Sequence, residues 1–232
     1  MQIIVVSNSL SKRVKYFVEA GRHLQTEIRF MTYEELFHCL PLLRQAVIKL
    51  EPWVSSETDF LKYALSNQEY KETLRRLGGI RLSGDVHFLN TPQALLRALD
   101  KRETKRVLSD RGLKVTPMLP SPQSFDELRQ LLAGCSRGCF LKPRYGSGAG
   151  GIMAVRYQPG RKKWVVYTTL QQVDGVIHNT KRIHRLSTEK EIVPLAEAVI
   201  QTEAILEEWI PKELLQGENY DLRVVCREAE ID

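Results

Sequence analysis

The first part of the chain sets short, unbroken apolar runs between stretches whose apolar residues recur every three or four positions. Ile3-Ile4-Val5-Val6 is the kind of run that a strand covered on both faces requires, and it predicts a strand over Gln2–Ser7. Ser11–Ala20 has helical spacing and is expected to close at Gly21. Thr26–Thr32 predicts a second strand, and Tyr33–Leu40 a helix capped by Thr32. Ala46–Leu50 reads as a third strand. From Trp53 to Leu77 apolar residues again fall at helical intervals, up to a stop at Gly78-Gly79. Strands alternating with helices favour a mainly parallel sheet. The turn after the first strand, Asn8-Ser9-Leu10-Ser11, carries no G-x-G, so no nicotinamide or flavin site is expected there.

Beyond residue 88 the pattern changes. Asn90 or Thr91 can cap a helix with Pro92 in its first turn, and a further helix over Lys101–Asp110 is expected to end at Gly112. Pro120-Ser121-Pro122 predicts a turn and Phe125–Leu132 a helix. Ile152–Tyr157 and Trp164–Thr169 are rich in bulky and β-branched residues and predict strands, with Gly160–Lys163 as a turn between them. Val193–Thr202 predicts a helix. Ala204–Pro211 reads as an apolar strand that turns acidic and aromatic before a proline stop. Tyr220–Cys226 predicts a strand with charged residues at alternate positions, hence on one face. Glu228–Glu230 reads as a hairpin turn and Ile231-Asp232 as the start of a return strand.

Composition adds bounds. The 232 residues are 43% hydrophobic and 27% charged, ordinary for a soluble globular protein of two or three lobes. A net charge of +6 suits an anionic ligand such as ATP and suits nucleic acid equally, so charge alone does not choose. The longest apolar runs are far too short to span a bilayer, and the N-terminus lacks a secretory segment. A cytoplasmic protein with no membrane partner is the expectation. Cys135 and Cys139 have no second pair or nearby histidine to complete a zinc site, so the cysteines are expected as reduced thiols. His178 and His184 fall in a basic stretch that reads as a solvated strand or loop, with a substrate-facing lid edge as the alternative.

Candidate chemistry concentrates in Phe140-Leu141-Lys142-Pro143-Arg144-Tyr145-Gly146-Ser147-Gly148-Ala149-Gly150-Gly151. Bare backbone N–H groups on a turn, with a cation beside them, are what a polyphosphate needs. Gly146, Gly148 and Gly151 satisfy G-x-G-x-x-G, but a dinucleotide fingerprint opens a helix, and a strand is predicted here. A P-loop ends in Gly-Lys-Ser/Thr, which is absent. A protein kinase places its lysine after the loop and adds H-R-D and D-F-G segments, also absent. What remains is a β-hairpin clamp with Lys142 on the strand leading in. A glycine-rich surface turn is its plain alternative.

Together with Asp100-Lys101, with Glu207-Glu208-Trp209-Ile210 before Pro211, and with Asp221-Leu222-Arg223, this hairpin resembles the ATP-grasp superfamily. The likeness is greatest to its carboxylate–amine ligases of the RimK and D-alanine–D-alanine ligase type, and it covers roughly Phe88 to the C-terminus. The resemblance implies an α/β fold with an α+β lid. A Rossmann-like pre-ATP-grasp lobe would occupy residues 1–88 and an incomplete ATP-grasp module 89–232, with its lid at about 113–203. It also implies that Lys101 and Lys142 neutralise the α- and β-phosphates of ATP. N–H groups of Gly146, Ser147, Gly148, Ala149, Gly150 and Gly151 would close over the β- and γ-phosphates. Glu207, Glu208, Trp209 and Ile210 would hold the adenine through backbone groups. Asp221 would lie near the ribose, and Arg223, the candidate catalytic residue, would point toward the phosphates or the acceptor. Plainer readings stand beside these: Lys101 as one charge on a solvated helix face with Arg102, Lys105 and Arg106, Trp209 as a core aromatic, and Asp221 with Arg223 as an exposed strand pair.

The same resemblance implies two magnesium ions held by acidic and amide side chains beyond the D-x-R strand. No later E-x-N pair precedes Asp232, so the expectation is a truncated module without its metal shelf and of doubtful activity on its own. The parent is expected to join a small carboxylate to an amine or thiol through an acyl phosphate. Three alternatives stay open: an ATP-grasp kinase, a nucleotide-binding module without catalysis, and a basic nucleic-acid-binding protein. A homodimer is also open.

Overall fold

Four parallel strands form the first sheet, in the order β2-β1-β3-β4: β1 (Gln2–Val6), β2 (Ile28–Met31), β3 (Ala46–Leu50) and β4 (Val86–Phe88). The computed structural model describes residues 1–53, 55, 57–220, 222, 226–227 and 230–231. β1 is central, and Ile4, Val5 and Val6 are fully buried, as its unbroken apolar run requires. Three helices connect the strands: α1 (Lys12–His23), α2 (Tyr33–Cys39) and α3 (Phe60–Gly78). The Thr32 side chain accepts from the Glu35 amide, and Glu35 bonds back to the Thr32 amide, a reciprocal cap that starts α2 where the sequence predicts. Gly21 does not end α1. It lies inside the helix, where an added Cβ would collide with Ile28 of β2, so this glycine permits close approach of helix to strand. α3 starts only at Phe60, because the Asp59 carboxylate takes the amides of Leu61 and Lys62.

The second sheet has six strands in the order β5-β10-β6-β7-β8-β9, paired antiparallel throughout. They are β5 (Met118–Leu119), β6 (Cys139–Lys142), β7 (Met153–Gln158), β8 (Lys163–Val173), β9 (Val176–Leu186) and β10 (Ile205–Glu208). Helices α6 (Phe125–Ala133) and α7 (Glu189–Ile200) pack on it around Leu141, Val155, Trp164, Leu195 and Leu206. α7 begins four residues before the predicted Val193; Glu189 and Glu191 in its first turn suit the positive end of the helix dipole. Between the sheets run α4 (Pro92–Leu99), capped by Thr91, and α5 (Lys101–Asp110), capped by Asp100.

α3 belongs to both cores. Tyr70, Leu74 and Leu77 are buried with the first sheet, whereas Phe60 is buried with the second. Near its start, the Asn179 amide of β9 donates to the Thr58 carbonyl at 2.6 Å. The strand expected over Tyr220–Cys226 falls largely on 221 and 223–225, outside the described residues. Cys226–Arg227 pairs antiparallel with Glu230–Ile231, in keeping with a hairpin there.

Candidate functional site

Alternation along β6 sends Cys139 and Leu141 into the helix-covered core, which leaves Phe140 and Lys142 on the opposite face. β10 lies beside it with Glu207 opposite Phe140 and Ile205 opposite Lys142. Lys142 and Glu207 are therefore diagonal neighbours on one face, and Lys142 Nζ donates to Glu207 Oε2 at 2.8 Å. Lys105 Nζ lies 3.5 Å from the same oxygen and donates to the Thr116 carbonyl at 3.1 Å. Glu207 is only 4% exposed. A buried carboxylate persists in a core when cations meet it, as they do here.

The second lysine arrives on α5. Asp100 caps this helix by accepting from the amides of Arg102 and Glu103, and it grips the Arg144 guanidinium through both oxygens at 2.6–3.0 Å. Burial pushes the Asp100 carboxyl up, but Arg144 and the helix amides outweigh it and hold the group below its ordinary value. The Lys101 amide donates to the Arg144 carbonyl at 3.1 Å. Lys101 Nζ donates to the carbonyls of Pro143 and Gly146, each at 2.9 Å. α5 buries no residue, so these polar contacts fix its start against the segment that follows Lys142. Burial lowers the Lys101 pKa from 10.5 to about 8, helped by the charge of Lys142 and opposed by Glu207 and Asp100. The two lysines thus feel each other and the same carboxylate.

The glycine segment joins β6 to β7 as a loop between antiparallel strands, as predicted. Gly146, Gly148, Ala149 and Gly151 have positive φ, a conformation that favours glycine. The loop leans on α3. The Tyr63 hydroxyl donates to the Ser147 carbonyl at 2.7 Å and accepts from the Ser147 amide at 3.2 Å. A Cβ on Gly150 would meet the Tyr63 ring, and one on Gly151 the Phe60 ring. These glycines therefore serve docking on α3 as well as turning.

Past β10, Trp209 packs against Phe140 with ring centroids 5.3 Å apart, and the Arg156 guanidinium sits 4.8 Å from its ring. The core tryptophan is Trp164 instead. The Glu208 amide donates to the Pro117 carbonyl at 3.0 Å and the Trp209 amide to the Gly138 carbonyl at 2.9 Å. Ile210 follows, exposed.

The structure therefore brings Lys101, Lys142 and Glu207 together, with the Gly146–Gly151 loop adjoining Lys101 and Glu208, Trp209 and Ile210 continuing the strand of Glu207. Asp221 and Arg223 lie outside the described residues. Sequence reasoning misses Lys105, Arg144 and Tyr63 as members of the site. Lys105 has a local signal, since it stands one turn after Lys101 on the same helix face. Tyr63 has none, being 84 residues from the serine it holds. A cavity of about 330 Å³ between α3 and α7 shares Pro143 and Tyr145 with this region, but no lysine lines it.

A family model described as YheC/D like ATP-grasp matches residues 90–230, a span that takes in Lys101, Lys142, the glycine loop and Glu207. The chain belongs to this ATP-grasp family. No curated protein matches it significantly. Among solved structures, it is similar to the ATP-grasp ligase PsnB complexed with minimal precursor, at 13% identity and a TM-score of 0.47 over 91% of this chain and 65% of that one. It is also similar to an ADP complex of N5-carboxyaminoimidazole ribonucleotide synthetase (15% identity, TM-score 0.45, 91% of this chain, 48% of that one). A third likeness is to D-alanine–D-alanine ligase from Bacillus anthracis (14% identity, TM-score 0.42, 91% of this chain, 58% of that one). These likenesses are too distant to bear on chemistry. Among the described residues of this ATP-grasp chain, no group of three or more His, Cys, Asp and Glu could hold a metal ion. None of its described helices is long and apolar enough to cross a membrane.

Proposed function

We propose that the chain binds ATP with its phosphates between Lys101 and Lys142, and that the whole protein is an ATP-dependent ligase joining a small carboxylate to an amine or thiol in the cytoplasm. One observation carries this reading: two lysines from separate elements come close enough to interact with each other and with one buried carboxylate. The charge balance fits a polyanion. Lys101, Lys105 and Lys142 stand near Glu207, and Lys101 is held below its ordinary pKa by burial first and then by the charge of Lys142, which an anion beside it would offset. ATP would supply that anion.

Within the site, Lys101 and Lys142 are assigned to the α- and β-phosphates and the amides of Gly146–Gly151 to the β- and γ-phosphates. Glu207 orients Lys142. The amides of Glu208 and Trp209 are already paired, so the Ile210 amide and the strand's carbonyls are the groups assigned to the adenine. Asp221 near the ribose and Arg223 toward the transferring phosphoryl complete the assignment. The residues 1–88 and 89–232 are proposed as the two domains. Magnesium is the ordinary partner of such phosphates, and the described residues show no cluster to hold it.

The chemistry follows from the carboxylate, a poor electrophile whose leaving group would be oxide. Transfer of the γ-phosphoryl to its oxygen gives an acyl phosphate and ADP. Attack by the amine then expels phosphate and forms the amide. Positioning and charge stabilisation are what the protein contributes, with the glycine flap excluding water from the acyl phosphate. Thermal unfolding with ATP, ADP, AMP and GTP, with and without magnesium, tests the binding step. A rise in Tm for ATP and ADP above that for AMP is expected. No rise with any nucleotide would overturn the reading. Product mass separates an amide or thioester from the phosphate ester that a kinase would give.

A further inference from the structure

At the turn between α6 and β6, the Cys139 sulfur lies 3.1 Å from the Cys135 sulfur. The turn that brings them together is tightly specified. The Cys135 amide caps back to Leu132, the Gly138 amide donates to the Cys135 carbonyl, and Arg156 Nε holds the Arg137 carbonyl at 3.0 Å. Gly138 has φ +88°, and a Cβ there would strike the Val155 carbonyl, so no other residue fits without a shift. Cys139 is fully buried, whereas Cys135 is only partly buried and borders an open depression with Ser136, Tyr157 and Pro159. The Cys39 thiol instead lies 3.6 Å from the Met31 sulfur and 3.7 Å from the Leu36 carbonyl oxygen.

This turn also supports the segment after β10, the hinge that is proposed above to hold the adenine. The Gly138 carbonyl takes the Trp209 amide at 2.9 Å, and the Cys135 thiol donates to the same carbonyl at 3.3 Å. Cys139 opens β6 opposite Glu208, and Lys142 closes the same strand. We propose that Cys135 and Cys139 are a modification site that forms a reversible disulfide by exchange with a low-molecular-weight disulfide, loosening the hinge at Trp209.

The exchange balances without a further reactant. The Cys135 thiolate attacks the external disulfide and releases one small thiol. The Cys139 sulfur then attacks Cys135 in the mixed disulfide and releases the second. Two protein thiols are oxidised, the external disulfide is reduced to two thiols, and both S–H protons end on them. Exposure makes Cys135 the first attacker. Burial raises the Cys139 thiol, and Cys135 adds to the effect, so Cys139 is the poorer first attacker; its resolving role rests on the 3.1 Å between the two sulfurs. Bond formation draws the sulfurs to about 2.05 Å, removes the thiol donor from the Gly138 carbonyl and moves the turn that holds Trp209.

The full chain is incubated with oxidised glutathione, alkylated, digested and mapped by mass spectrometry. A Cys135–Cys139 link lighter by two hydrogens is expected, with no glutathione retained there. Cys139→Ser should retain glutathione on Cys135, and Cys135→Ser should take up none at either position. Hydrogen exchange at the Trp209 amide should quicken on oxidation and slow again with dithiothreitol. Absence of the link, or glutathione remaining on Cys135 in the unaltered chain, overturns the site; unchanged Trp209 exchange in the linked chain overturns its effect on the hinge. Resting on the proposed ATP site, oxidation should also weaken ATP binding about two- to tenfold, the loss of roughly one hydrogen bond. If the reduced chain binds no ATP, the ligase reading fails, while mapping and exchange still decide the disulfide.

Discussion

Lys142 and Lys101 place different demands on the same site. Lys142 is poised on the buried Glu207 carboxylate, and replacing it by alanine removes a charge-assisted donor worth about 1.5–3 kcal/mol per bond. Lys142→Ala should therefore weaken ATP binding about tenfold or more in calorimetric titration; an unchanged affinity would refute its assignment. Lys101 makes the site sensitive to pH. Its folded pKa is about 8 against an ordinary 10.5, so the folded chain releases this proton while the unfolded chain still holds it. Between those values the unfolded chain binds more protons, and the group's contribution to stability grows as pH rises. ATP reverses the bias, because phosphate charge favours the ammonium. Binding near pH 8 to 9 should take up a proton and weaken with rising pH, measurable as a heat that depends on buffer ionisation enthalpy. Lys101→Arg, always charged, should abolish that uptake. Lys142 is legible in the sequence because its glycines follow at once. Arg144 sits in the same stretch, but its partner Asp100 is 44 residues away, and only folding reveals the pair.

Element boundaries show the same division between local and distant causes. α2 and α5 begin where the sequence predicts because their caps, Thr32 and Asp100, are adjacent residues. α1 outruns its prediction because Gly21 answers to Ile28 on another element. The glycine loop is the extreme case. Its turns are legible as glycine, yet its docking on α3 through Tyr63 is not. Tyr63→Phe removes both hydrogen bonds to Ser147 while keeping the ring against the loop. It should cost about 0.5–1.5 kcal/mol in urea unfolding and speed amide exchange at Ser147. Protection unchanged at that amide would show that the hydroxyl does not restrain the loop.

At the scale of the molecule, alternating strands and helices announce the parallel sheet, and the strand-loop-strand reading announces the hairpin. What the sequence conceals is that α3 serves two cores, since Phe60 and Leu74 lie on one uninterrupted helical pattern. A fragment of residues 89–232 would expose the core surface that Phe60 covers. It should melt below the full chain and bind a hydrophobic dye that the full chain does not; an equal Tm would show that the second core stands alone.

Lys101 points to a last consequence. Two of the donors on its ammonium hold the carbonyls of Pro143 and Gly146, at the root of the flap. A phosphate arriving there competes with the protein for those same hydrogens. Release of Lys101 from those carbonyls and capture of the anion by its ammonium become one equilibrium, so a change that weakens the two carbonyl contacts favours the anion at Lys101 by the same free energy.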